Sequence, residues 1–292
     1  MHLRILLIFF LFIFHNLDAD SPAIRYLIGN PEDVNPPLSG PGVNLAGGSA
    51  DVDKGMQWMI DHARGCTSCE TKVDVVVIRA SGSNDYNDYI LAMNGVDSVE
   101  TIIIKSRKAA DTSALSKAVE SAEVVFFAGG DQCNYVKYVK GTRTESAVES
   151  VYKRGGVIGG TSAGCAIMSP IAFDACVDTV YSEIVLKDPY HKTVTLTRDF
   201  FHWDILSGTI ADQHFAQRDR LGRLLTFLAR QIQDGFEEQV LGVGVNERTA
   251  VVVDQNGLAT VLGEGPAYFI LADHKPEFCK PKTPLTYKDY KI

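Results

Sequence analysis

The sequence predicts a three-layer α/β sandwich around a mostly parallel central sheet. Two observations carry that expectation. Short apolar runs rich in Val and Ile recur along the first half of the chain and are continuous rather than alternating, as strands covered on both faces must be. Between them, apolar residues fall at helical spacing, so strands and helices alternate in the pattern of right-handed crossovers.

Taken in order, the strands are "VDVVVIRA" (73–80), "VETIIIK" (99–105), "AEVVFFAGG" (122–130) and "GGVIGGT" (155–161). Met56, Met59, Ile60 and Ala63 form the stripe of a first helix that Gly65 closes. Tyr86, Tyr89, Ile90 and Met93 do the same before Gly95, and Leu115, Ala118, Val119 and Ala122 follow a capping cluster at Asp111, Thr112 and Ser113. Ala147, Val148, Val151 and Tyr152 line a fourth helix ended by Gly155 and Gly156. Beyond residue 170 the pattern loosens, until Leu221, Leu224, Leu225 and Leu228 mark another helix. The stretch 249–263 then reads as a β-hairpin turning at Gln255, Asn256 and Gly257. No linker or repeat divides residues 20–292, which read as a single domain.

The first 20 residues, "MHLRILLIFFLFIFHNLDAD", hold an apolar run from Ile5 to Phe14 that is too short to span a bilayer. A signal peptide over 1–19, cut near Ala19, is the expectation, with an exported mature chain free of the membrane, extracellular or periplasmic. Export makes disulfides plausible for the six cysteines, which allow up to three bridges in 15 pairings. Cys66 and Cys69 follow a helix end instead of opening a helix, and no second close pair accompanies them, so a structural role is expected rather than a redox or zinc site. The net charge of −8 argues against a nucleic-acid surface.

The stretch "VIGGTSAGCA" (157–166) sets Ser162 among small residues at a strand end, in a G-x-S-x-G pattern. A nucleophile on a sharp strand-to-helix turn needs such neighbours, because its backbone is strained and the next chain passes close. The N–H of Ala163 is placed to donate to an oxyanion, aided by the N-terminus of the following helix. The strand end "FFAGGDQ" offers a second oxyanion position at Gly130 and Asp131. No Gly-Lys-Ser/Thr tripeptide or dinucleotide fingerprint occurs.

A serine hydroxyl needs a base, and the base needs a group to orient it. His214 is the candidate base because of its company, "ADQHFAQRDRLGR" (211–223), whose Arg220 and Arg223 can share a helix face and grip a carboxylate. His62 reads as a surface residue. Glu247, between two apolar strands in "GVGVNERTAVVV", is the candidate orienting carboxylate.

The segments "LAGGSADVDKGMQWMI", "VIRASGSNDYNDYI", "VFFAGGDQ", "GGVIGGTSAGCA", "ADQHFAQRDRLGRLL" and "LGVGVNERTAVVV" together resemble the cyanophycinase family of serine peptidases, relatives of peptidase E. The resemblance implies a class I glutamine-amidotransferase-like (flavodoxin-like) fold, with Ser162, His214 and Glu247 as nucleophile, base and orienting acid. It further implies that Gln132, Asp212, Gln213, Arg218, Arg220 and Arg223 hold a β-linked aspartyl-arginine unit. The expected activity is hydrolysis of β-aspartyl peptide bonds through an acyl-enzyme, with no metal or organic cofactor and room for a homodimer. An α-Asp-X dipeptidase and a silent binding or matrix protein on the same fold are the alternatives. Cys165 replaces the family's alanine after "TSAG", and Arg248, beside Glu247, is expected to compete for that carboxylate.

Overall fold

The computed structural model describes residues 22–292, so the expected signal peptide at 1–19 lies outside the described residues. A central sheet of eight strands runs in the order β1 (Ile24–Gly29), β4 (Val96–Ile103), β3 (Val73–Arg79), β5 (Val124–Phe127), β6 (Val157–Thr161), β2 (Gly42–Ala46), β11 (Thr249–Val253) and β12 (Ala259–Gly263). The five strands from β4 to β2 are mutually parallel, while β1, β11 and β12 pair antiparallel at the two margins. The mostly parallel sheet expected from the continuous apolar runs is therefore present. β1 and β2 escape a pattern search because β1 is an exposed edge strand and β2 spans only five residues.

Alternate residues of each parallel strand feed two cores. Val75, Val77 and Phe126 pack with Met56, Met59 and Ile60 of α1 (Asp53–Arg64) and Ile90 of α2 (Tyr86–Leu91). Val76, Ile78 and Phe127 face the opposite layer: α3 (Arg107–Ala110), α4 (Ser113–Ser121), α5 (Gln132–Val139) and α6 (Arg143–Lys153). This is the three-layer sandwich. Thr112 occupies the N-cap position of α4, but its hydroxyl donates back to Ala109 O and makes no capping bond to the helix. The hairpin turns where expected, with Asp254 Oδ1 accepting from the N–H groups of Asn256 and Leu258.

The loosely patterned region builds a third core around a small sheet, β13 (Ala267–Ala272), β10 (Val240–Val245) and β9 (Thr209–Asp212). Helix α9 (Leu221–Gln233) covers it with Leu224, Leu228 and Ile232, beside α8 (Ser182–Val185) and the ribbon of β7 (Ile171–Phe173) and β8 (Leu196–Arg198). Two bridges form rather than three. Cys66–Cys69 closes the turn after α1, and Cys133–Cys176 ties the first turn of α5 to the loop after β7, leaving Cys165 and Cys279 unpaired and buried.

Packing is close where β6 hands over to the one-turn helix α7 (Ala163–Ala166). A methyl group on Gly164 would sit 2.0 Å from the Phe127 carbonyl oxygen. Gly164→Ala must therefore push β5 and α7 apart, at a cost of about 1–3 kcal/mol and a fall of about 3–10 °C in Tm. An unchanged melting temperature would contradict this packing.

Candidate active site

The carboxyl ends of β6, β9 and β10 meet in space and bring together residues far apart in the chain. Ser162 leaves β6 with φ +52° and ψ −113°, a conformation disfavoured for a residue with a side chain, and its N–H donates to Ala46 O at 3.1 Å. The strained turn expected of a nucleophile elbow is thus present. Gly160 is required as well, because a Cβ there would lie 2.5 Å from the Gly164 carbonyl carbon.

Ser162 Oγ lies 2.8 Å from His214 Nε2, and His214 Nδ1 lies 2.6 Å from Glu247 Oε1. A carboxylate can only accept, so Nδ1 carries the imidazole proton and donates it to Glu247. The Nε2 lone pair is left to accept from the serine hydroxyl. His214 also has a left-handed backbone, φ +46°, fixed by its N–H donating to Gly47 O at 2.8 Å. Gly48 completes the bracket, since a Cβ there would stand 2.5 Å from the imidazole ring.

His214 is only 5% exposed. Burial pushes its pKa below the usual histidine value; the hydrogen bond to Glu247 pulls it back up, and the Arg218 and Arg220 charges depress it again. The imidazole is therefore neutral at neutral pH, the form able to take a proton.

Arg248 does not compete for Glu247. It turns outward to Glu264, Nε to Oε2 3.0 Å, and both side chains are exposed. The Glu247 N–H is held instead by Gln217 Oε1 at 3.0 Å, and Asn246 Oδ1 accepts from the Ala216 N–H at 2.9 Å. The two side chains brace the turn that carries His214 to the turn that carries Glu247. Sequence reasoning had no signal for that brace. Cys165 is buried, with its thiol pushed well above the usual range by burial, so it is packing and no nucleophile.

Gly129 lies against Ser162, its hypothetical Cβ 3.4 Å from the serine Cβ, which brings the turn at Gly130 and Asp131 beside the nucleophile. Asp131 caps α5 through its side chain, donated to by the Cys133 N–H at 2.9 Å. The N–H of Ala163 sits at the first position of α7 and has no partner within that helix. Because α7 is a single turn, the help expected from a helix dipole reduces to the turn's own N–H groups.

The residues expected to hold substrate gather near the triad, with one difference. Arg220 and Arg223 do not present an open face: they are 7% and 2% exposed and turn inward onto Asp212 and Gln213. Arg223 Nε donates to Asp212 Oδ2 at 2.8 Å and its Nη2 to Oδ1, while Arg220 Nη1 donates to Gln213 O at 2.7 Å and to Gln213 Oε1. The planar grip inferred from their spacing is real, but the carboxylate it holds is Asp212. Burial lowers the Arg220 pKa to about 10, with Asp212 opposing the shift. Gln132 is buried, with Nε2 donating to Phe173 O at 3.4 Å. Arg218 alone of the three arginines is exposed; its N–H donates to His214 O at 3.1 Å, and its side chain makes no hydrogen bond or ion pair among the described residues. His62 is half-buried and stacks on Trp58, ring centroids 4.6 Å apart, rather than lying free on the surface.

The chain belongs to Peptidase family S51, whose profile matches residues 60–261. It is similar to the cyanophycinase of Nostoc, 28% identical over 174 residues that make up 59% of this chain and 52% of that protein. It is 26% identical to the cyanophycinase of Synechococcus elongatus over 229 residues, 76% of this chain and 66% of that one. The chain thus spans about half to two thirds of the length of these relatives. The crystal structure of a peptidase from an acI-B1 actinobacterium shares the fold, with a TM-score of 0.54 at 14% identity over 87% of this chain and 97% of that one.

The buried imidazole makes a measurable statement. In Ser162→Ala, the NMR titration of His214 should fall below about 6.5, and adding Glu247→Gln should lower it further, since the partner that raises it is gone. A midpoint above the free-histidine value would overturn the electrostatic account.

Proposed function

We propose that the protein is a serine-type peptidase of β-aspartyl peptides, with β-Asp-Arg units as the preferred substrate. The observation that carries this reading is the unbroken line from Ser162 Oγ through His214 to Glu247. Family membership and the cyanophycinase relatives support the substrate class.

In this mechanism Ser162 Oγ attacks the scissile carbonyl while His214 Nε2 takes its proton, and the carbonyl oxygen gathers negative charge. The N–H groups of Ala163 and of the turn at Gly130 and Asp131 receive that oxygen. As the tetrahedral adduct collapses, His214 returns the proton to the leaving nitrogen and an acyl-serine ester remains. Water, deprotonated by the same imidazole, hydrolyses the ester and frees Ser162. Glu247 holds the ring and offsets the transient imidazolium charge. Arg218, exposed beside His214 and unpaired, is the cation available to a substrate carboxylate. The inward network of Gln132, Asp212, Gln213, Arg220 and Arg223 shapes the wall behind it.

The expected leader at 1–19 and the two disulfides agree with work outside the reducing cytosol. We therefore place the enzyme, by proposal, in an exported compartment.

Hydrolysis of β-Asp-Arg against α-Asp-Arg by the chain beginning at residue 20 tests the reading. Arginine release from the β-linked peptide should dominate, and Ser162→Ala should reduce it by about 10⁴-fold or more. A serine-reactive phosphonate should label the unmodified protein and not the variant. Preferential cleavage of the α-linked peptide would replace the substrate class. Absence of both turnover and labelling would identify a silent member of the family.

A further inference from the structure

We infer that Gln217 is a positioning residue of the triad: from an exposed turn it holds the main chain of Glu247, and through that residue it sets the line from carboxylate to imidazole. The inference rests on the peptidase reading above and adds a residue on which its base depends.

The Glu247 side chain cannot fix itself. Among the described residues its carboxylate has one hydrogen-bond partner, the His214 Nδ1 that it orients. A glutamate has three rotatable side-chain bonds, and at 27% exposure packing alone does not still them. The position of the carboxylate therefore follows from where its backbone is held.

That backbone is held by a zipper between residues 215–217 and 245–247. The Phe215 N–H donates to Val245 O at 3.1 Å, the Ala216 N–H to Asn246 Oδ1 at 2.9 Å, and the Glu247 N–H to Gln217 Oε1 at 3.0 Å. The partners stay 30 positions apart at each step. Main chain meets main chain at the first rung, and a side-chain amide supplies the acceptor at the second and third. The third rung is the one that reaches Glu247 itself. Two further bonds hold the same turn: the Arg248 N–H donates to Gly48 O at 3.0 Å, and Thr249 Oγ1 donates to Glu247 O at 3.2 Å. They tie it to the loop that touches the imidazole and to its own strand. Only the Gln217 rung ties the Glu247 backbone to the turn that begins at His214.

Exposure separates positioning from stability. Gln217 lies in a stretch, 216–219, that faces solvent, and its amide has no other hydrogen bond among the described residues. Water can take over the Glu247 N–H when the amide is gone, so the fold loses little. What is lost is a fixed direction for the main chain that carries the carboxylate.

His214 reports on that direction. Glu247 faces it from the 246–248 turn, Arg218 and Arg220 act on it from the turn that carries the imidazole, and the uncharged Gly48 and Ser162 adjoin the ring. Of these charged groups only Glu247 draws a proton onto the ring, so a looser Glu247 leaves a weaker base.

Gln217→Met keeps the stem and removes the acceptor. Its kcat for β-Asp-Arg should fall about tenfold with KM within about twofold, the acid limb of kcat/KM should move to lower pH, and Tm should stay within about 2 °C. Gln217→Glu restores an acceptor oxygen and adds a negative charge near the ring, so it should recover most of the kcat and move the limb to higher pH. A loss of kcat with the limb unmoved would mark a merely structural role and overturn the inference. The dependence on Glu247 is read without turnover. In Ser162→Ala, adding Gln217→Met should lower the NMR titration midpoint of His214, whereas in Ser162→Ala/Glu247→Gln it should change nothing. An unchanged midpoint in the first background, or an equal fall in both, would overturn the inference whether or not peptide is cleaved. A fall confined to the first background, in a protein that cleaves neither β-Asp-Arg nor α-Asp-Arg, would support the positioning role and count against the peptidase reading alone.

Discussion

The active region depends on backbones that approach one another more closely than any side chain would permit. Gly164 passes the Phe127 carbonyl, and Gly47 passes the Asn246 carbonyl so closely that a Cβ would lie 1.9 Å from that oxygen. The first contact locks the exit of β6 to the end of β5; the second locks the exit of β2 to the turn bearing Glu247. With both fixed, Ser162 and His214 are held in left-handed conformations that neither would choose alone. The cost of that strain is met by the packed sheet on three sides, and what it secures is a serine, an imidazole and a carboxylate in line.

Charge is layered around the imidazole in a consistent sense. Glu247 raises its proton affinity, Arg218 and Arg220 lower it, and Asp212 pairs with Arg220 and Arg223. A buried arginine with one carboxylate partner is expensive to desolvate, and the fork of Arg223 is satisfied at both oxygens of Asp212. Such a fully bonded network adds little net stability, but it defines position, since moving any member leaves another unpaired. It joins the start of α9 to the end of β9, two residues before His214.

Much of this was legible in the sequence because the relevant signals were local. Continuous Val and Ile runs marked the parallel strands, and the small residues around Ser162 marked a turn that only small residues can make. The triad partners needed more than periodicity, since His214 and Glu247 lie 52 and 85 positions beyond the serine and only the family's motif order linked them. The direction of the arginines was not legible: the spacing of Arg220 and Arg223 is the same whether they face solvent or Asp212, and only the third core, assembled from the loosely patterned region, turns them inward. The partner of Arg248 was misread for a similar reason: it follows Glu247 in sequence, yet its side chain pairs with Glu264.

The Cys133–Cys176 bridge encloses the nucleophile. Ser162 lies inside the covalent ring of backbone that this disulfide closes, together with α6, β6 and α7. A single backbone cut anywhere between the two cysteines therefore opens the ring without releasing a fragment, and the piece bearing Ser162 stays tethered to the piece bearing Cys133. For an enzyme working among other proteases, this makes the segment that carries its nucleophile the part of the chain least able to drift away after damage.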